Sequence, residues 1–100
     1  MFDILKVVGF QWDAGNQRKN EDQHGVSQTE AEEAFLNLPL IVLDDLLHRQ
    51  VESRFVALGQ TTVGRHLCIV FTLRESDTKI RVISARDQSK KERHLYGKTR

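Results

Sequence analysis

Apolar residues fall along this chain in short blocks set between long polar intervals, and the spacing inside each block differs. Leu67 to Leu73 is nearly continuous apolar and rich in β-branched and aromatic residues, which predicts a strand over Arg65–Leu73 with both faces covered. Arg74 to Thr78 is small and charged, as suits a hairpin loop, and Lys79 to Ala85 reads as the return strand. Strict alternation along that return puts Ile80 and Val82 on one side and Arg81, Ile83 and Ala85 on the other. Arg54 to Gly59 predicts another strand, Leu40 to Leu43 a strand or extended segment, and Ile4 to Trp12 a first strand weakened by Gly9.

Helical spacing appears elsewhere. Ser27 and Glu30 form a capping box, Val26 and Ala31 stand where a hydrophobic staple would join them, and Ala31, Ala34, Phe35 and Leu38 follow at helical intervals until Pro39. Ser89 and Glu92 form a second capping box, opening a short basic helix to about Tyr96. Between Ala14 and Gln23 the chain is almost wholly polar. A helix there has no apolar stripe and depends on its ends: Asp13 at the start, with Trp12 packing back on the first turn, and Gly25 at the stop. Leu46 to Val51 reads as irregular or a helical turn. The expected class is α+β, with helices packed on one face of a meander of antiparallel strands.

One hundred residues make a single domain, 1–100, and no apolar run reaches the ~20 residues of a membrane span. The start of the chain lacks the basic-then-apolar pattern of a signal peptide, and the lone Cys68 lies inside an apolar strand. A cytoplasmic protein without a membrane partner is the expectation. The net charge of +1 hides an asymmetry. Residues 1–50 carry 4 Lys+Arg against 9 Asp+Glu, a charge of −5, and residues 51–100 carry 11 against 5, a charge of +6. Seven of those eleven cations are arginine, the side chain suited to bidentate phosphate contacts, so the basic half points to an anionic partner such as nucleic acid.

The four histidines have neither the pairing nor the cysteine company of a zinc site, and there is no phosphate-binding glycine loop, so neither a metal nor a nucleotide cofactor is expected. RNA cleavage by its own 2′-hydroxyl needs no metal: it needs a proton acceptor, a proton donor and cations on the pentavalent phosphate. His24, His48 and Glu52 can titrate, and Arg65, Arg81 and Arg86 can stabilise charge. Arg81, set in a strand between apolar residues, is the most unusual of these; a pairing with an acidic neighbour is its alternative. His24 could equally serve as a helix C-terminal residue.

Taken in order, Phe10-Gln-Trp12-Asp13, Asn20, His24-Gly25-Val26-Ser27, Asp44-Asp45, His48, Glu52, Arg54, Leu58-Gly59, Gly64-Arg65, Ile80 to Arg86 and Glu92-Arg93 with Tyr96 resemble the BrnT family of ribonuclease toxins. The resemblance spans roughly residues 10 to 96. It implies a compact RelE-like α+β domain, with N-terminal helices on an antiparallel sheet of three to four strands and a short C-terminal helix. It also implies a metal-independent endoribonuclease that cleaves RNA and blocks translation. The candidate catalytic residues are His24, Glu52, Arg65, Arg81 and Arg86, with Arg54, Lys90, Lys91 and Arg93 as RNA contacts. Implied partners are a BrnA-type antitoxin and, for the toxin–antitoxin complex only, operator DNA; two such heterodimers pairing is one arrangement open to it. Gln23 stands where such toxins usually have lysine. A homologue that only binds antitoxin or nucleic acid is therefore the alternative function.

Overall fold

The computed structural model describes residues 2–45 and 53–98. Among them the elements run as β1 (Gly9–Gln11), α1 (Ala14–His24), α2 (Gln28–Leu36), β2 (Ile41–Asp44), β3 (Arg54–Gln60), β4 (His66–Arg74), β5 (Lys79–Asp87) and α3 (Lys90–Gly97). They build one five-stranded sheet in the order β1-β5-β4-β3-β2. The strands from β2 to β5 pair antiparallel, whereas β1 pairs parallel with β5. The sheet is thus mixed and five-stranded rather than antiparallel with three or four strands. What stands of the RelE-like expectation is its α+β class. None of the described helices is long and apolar enough to cross a membrane.

Both capping boxes form. In α2, Glu30 N–H donates to Ser27 Oγ at 3.1 Å and Ser27 N–H to Glu30 Oε1 at 3.0 Å. Ser89 and Glu92 repeat the exchange in α3 at 3.2 and 2.8 Å. The polar α1 is held by its ends, as its composition requires: Asp13 Oδ1 accepts from Gly15 N–H at 2.8 Å, and Gly25 takes the left-handed φ of +64° that closes the helix. Asn20, one of the residues that carry the family resemblance, supplies a further tie whose role the pattern did not show. Asn20 is 2% exposed, and its Oδ1 accepts the Ala85 N–H at 3.1 Å, joining α1 to the stretch of β5 that β1 does not cover.

Several boundaries differ from expectation. Ile4–Lys6 is a 3-10 turn, leaving only Gly9–Gln11 as the first strand. Leu38 lies past the end of α2 and is exposed. Trp12 Nε1–H donates to Glu32 Oε2 at 2.8 Å, so the indole is engaged by α2. The segment Leu46 to Val51, with His48, lies outside the described residues, as does Glu52.

The helices do not share one face. Val26, Ala31, Ala34 and Phe35 cover the odd-numbered side of β4 (Leu67, Ile69, Phe71), together with Phe55, Ala57, Ile80, Val82 and Ala85. Phe71 sits at the centre, with Phe35 edge-on at 5.1 Å and Phe2 at 5.2 Å. On the opposite side, Tyr96 of α3 packs with Leu58 and Cys68, and its hydroxyl donates to the Pro39 carbonyl at 2.5 Å. Burial pushes the Cys68 thiol up to about 11, which keeps it protonated and inert.

The register decides which side each cation takes. Between β4 and β5, Val70 faces Ser84 but Phe71 faces Val82, so Ile83 is an extra residue on β5. The bulge shifts the alternation by one. Ala85 therefore joins Ile80 and Val82 in the core instead of sharing a side with Arg81.

Candidate functional site

The same bulge gathers cations on the side that carries α3. Arg81 lies opposite Thr72 and Arg86 opposite Cys68, and Thr72 and Cys68 are four apart on the regular strand β4, hence on one face. Were β5 regular throughout, with Ile83 in the ladder, Arg81 and Arg86 would stand five residues apart and point to opposite faces. Arg54 is the other cross-strand neighbour of Thr72, so Arg54, Thr72 and Arg81 form one row across β3, β4 and β5. At roughly 4.8 Å per strand, the two arginine backbones stand about 10 Å apart on either side of the threonine.

These arginines differ in how they are held. Arg54 Nε is buried and has no hydrogen-bond partner among the described residues. Arg81 makes a long contact of 3.4 Å from Nη2 to Asp13 Oδ2 at the head of α1. Arg86 is gripped by Glu92, with Nη1 to Oε1 at 2.8 Å and Nη2 to Oε2 at 2.9 Å, yet its side chain stays 43% exposed. That paired grip draws the Glu92 carboxyl down to about 2, well below its ordinary range, and raises the Arg86 pKa further. Lys90 and Lys91 are exposed on the first turn of α3; Arg93, also exposed, donates from Nη1 to the Gln88 carbonyl at 2.9 Å.

Arg65 and His24 lie apart from this row. Arg65 precedes β4 and reaches to the helix-bearing side, where its guanidinium is surrounded. Nε and Nη2 donate to the two Asp87 oxygens at 2.7 and 3.2 Å. Nη1 donates to Gly25 O at 2.8 Å and Glu30 Oε2 at 3.1 Å, and Nη2 also to His24 O at 3.1 Å. Its donor set is engaged by the α1–α2 corner and the end of β5. Hydrogen bonding to Arg65 lowers the Asp87 pKa, while the Ser27 backbone bond is the main cause of the lowered Glu30 pKa. The three arginines expected to share one surface therefore divide: Arg81 and Arg86 on the α3 side, Arg65 on the other. Among the described residues, no three His, Cys, Asp or Glu side chains gather so as to hold a metal ion.

Residues 12–92 match the family model described as the ribonuclease toxin BrnT of type II toxin-antitoxin systems. The chain belongs to the BrnT family. Its fold matches the 1.1 Å crystal structure of the Brucella abortus ribonuclease toxin, BrnT, with a TM-score of 0.63 and 21% identity, covering 84% of this chain and 100% of that one. No curated protein matches the sequence. Family membership assigns the chain a ribonuclease toxin's role in a type II system, and with it an antitoxin as partner. Within the BrnT-matched span lie the row of Arg54, Thr72 and Arg81, and Arg86 with Glu92. Thr72 was missed in the sequence because its significance is purely positional. Reading β4 and β5 as an antiparallel pair would have placed it beside Arg81, but only the bulge aligns Arg86 with them.

Proposed function

We propose that this BrnT protein is a metal-independent endoribonuclease that cleaves RNA on the α3 side of its sheet and thereby stops translation in the cytoplasm. A BrnA-type antitoxin would neutralise it, and the pair, as two heterodimers, would bind operator DNA. The supporting observation is the row formed by Arg54, Thr72 and Arg81 with Arg86 on the same face. Arg54 Nε, buried without an acceptor among the described residues, bears the cost of an unmade hydrogen bond, which a phosphate oxygen would relieve.

In the reaction, the 2′ oxygen attacks phosphorus and gives up its proton. The new P–O2′ bond forms as the P–O5′ bond breaks, and the 5′ oxygen takes a proton from water, leaving a 2′,3′-cyclic phosphate and a 5′-hydroxyl. Arg81 and Arg86 stabilise the pentavalent phosphate, and Arg54 orients it with a planar donor fork. Arginine holds its proton too tightly to act as the base. Glu52, two residues before Arg54 in the chain, takes the 2′ proton; His24, next to the Arg65 corner, is the competing candidate. Arg65 acts as a structural clip, and Lys90, Lys91 and Arg93 steer the RNA at the α3 corner.

Cleavage of RNA in EDTA by the wild type, Arg81→Ala, Glu52→Gln, His24→Gln and Gln23→Lys tests this reading. Loss of one phosphate donor costs on the order of 10²–10³ in rate. Glu52→Gln should lose more than His24→Gln, and Gln23→Lys should gain activity. A wild type that cleaves nothing, while still binding RNA or antitoxin, establishes the binding-module function instead.

A further inference from the structure

The row nearest the β4–β5 hairpin carries a second pair of cations on the same face. Arg74 lies directly opposite Lys79 at the end of the ladder, two residues beyond Thr72 on β4 and two before Arg81 on β5. Like charges placed directly opposite in a sheet repel one another, and Arg74 is held in part by its own contacts, with Nη1 donating to the Leu73 carbonyl at 3.5 Å. The fold also makes room for the pair. β1 passes alongside with Gly9 opposite Lys79, and a Cβ at Gly9 would stand 3.1 Å from Lys79 Nζ. The hydroxyl-bearing Thr72 and Ser84 occupy this face between the cations; no aromatic side chain stands between Cys68 and Arg74 on this face of β4, and the His66 ring beyond them is packed on Tyr96 at 5.3 Å.

We infer that Arg74 and Lys79 form a second phosphate subsite, so that the α3 face binds an extended single strand of RNA along β5, from Arg86 past Arg81 to the hairpin. This rests on the reading of that face as the RNA-cleaving surface. At about 3.3 Å per residue, the Arg74–Lys79 row is ~7 Å from the Arg81 row and ~20 Å from the Arg86 row along β4. The spacing suits successive phosphates of one strand. The cations follow one another along a line, whereas a duplex needs two rails set a groove apart. With no aromatic ring between the Arg81 row and the hairpin to stack on, recognition there is of the backbone and is blind to base identity.

The test uses uncleavable 2′-O-methyl RNA, so that it is independent of catalysis, and measures affinity by fluorescence anisotropy for a trinucleotide and a nonanucleotide. Wild type should bind the longer probe at least about tenfold more tightly. The double variant Arg74→Gln/Lys79→Gln should lose that gain, and its slope of log affinity against log salt should fall by about 1.4, for two phosphate contacts at ~0.7 each. The single variants Arg74→Ala and Lys79→Ala, checked by thermal melting, guard against a folding defect. A double variant that keeps the wild-type gain and slope overturns the inference, as does a wild type indifferent to length or one that prefers a duplex. If natural RNA is cleaved but the length gain is absent, this inference alone fails. If the gain is present but nothing is cleaved, the catalytic reading alone fails.

Discussion

Replacing Arg65 by alanine should unfold the protein at a much lower temperature without selectively abolishing RNA binding. The side chain is only 28% exposed and ties three separate segments together: the carbonyls of His24 and Gly25 at the α1–α2 corner, Glu30 in the first turn of α2, and Asp87 at the end of β5. The two carbonyl contacts are worth about 1 kcal/mol each. The carboxylate contacts are discounted to about 1 kcal/mol together, because Asp87 is 63% exposed and its carboxylate rehydrates when released. The sum is about 3 kcal/mol. For a domain of this size each 1 kcal/mol shifts Tm by about 4–8 °C, so Arg65→Ala should lower Tm by roughly 12–24 °C. Arg65→Lys, a single point charge on a flexible stem, should recover only part of it. Thermal melts by circular dichroism, paired with anisotropy on uncleavable RNA at a temperature where both proteins are folded, give the answer. If Tm moves by less than ~3 °C while RNA affinity collapses, Arg65 is a phosphate ligand and the clip argument is refuted.

Acid should release the Arg86–Glu92 grip. The folded Glu92 pKa is depressed to about 2 from an ordinary 4.5, so its stabilisation is complete above the ordinary value and is lost as pH falls from about 4.5 toward 2. Melts across that window should show Glu92→Gln losing less stability than wild type. Gly59→Ala should destabilise by roughly 1–3 kcal/mol or more, since the new Cβ would stand 2.5 Å from Ala34 O and 3.2 Å from Ala34 C, the backbone of α2; urea titration measures it. Deleting Ile83 should remove the bulge and leave Arg81 and Arg86 four apart on a regular strand, hence still on one face, so cleavage should survive in a variant that folds. A variant lacking Ile83 that still melts cooperatively but cleaves nothing would show that a shared face for Arg81 and Arg86 is not what aligns the site.

Much of this fold was legible because local signals agreed with the global one. The capping boxes at Ser27 and Ser89, the left-handed Gly25 and the apolar run of β4 each specify a boundary within a few residues. Three features escaped for physical reasons. β1 is only three residues long, and its parallel pairing with β5 depends on a crossover that no local pattern encodes. Tyr96 shows that α3 is anchored, but not on which face, because its partners Leu58 and Cys68 sit on strands buried on both sides. The bulge at Ile83 has no signature beyond an apolar residue at an unexceptional place, yet it puts Arg86 with Arg81. The candidate cations were visible as residue types; their division, with Arg65 bound into the α1–α2 corner and Arg54 raised to a neighbour of Arg81, required the register.

The account's central claim is that RNA is engaged on the α3 side of the sheet, and the most direct measurement is where RNA perturbs the molecule. Isotope-labelled protein titrated with uncleavable single-stranded RNA should show chemical-shift changes concentrated at Arg54, Thr72, Arg81, Ser84 and Arg86. The amides of His24, Gly25, Glu30 and Arg65 should stay close to their free positions. Shifts confined to the α1–α2 corner, with β4 and β5 silent on the α3 side, would contradict the account.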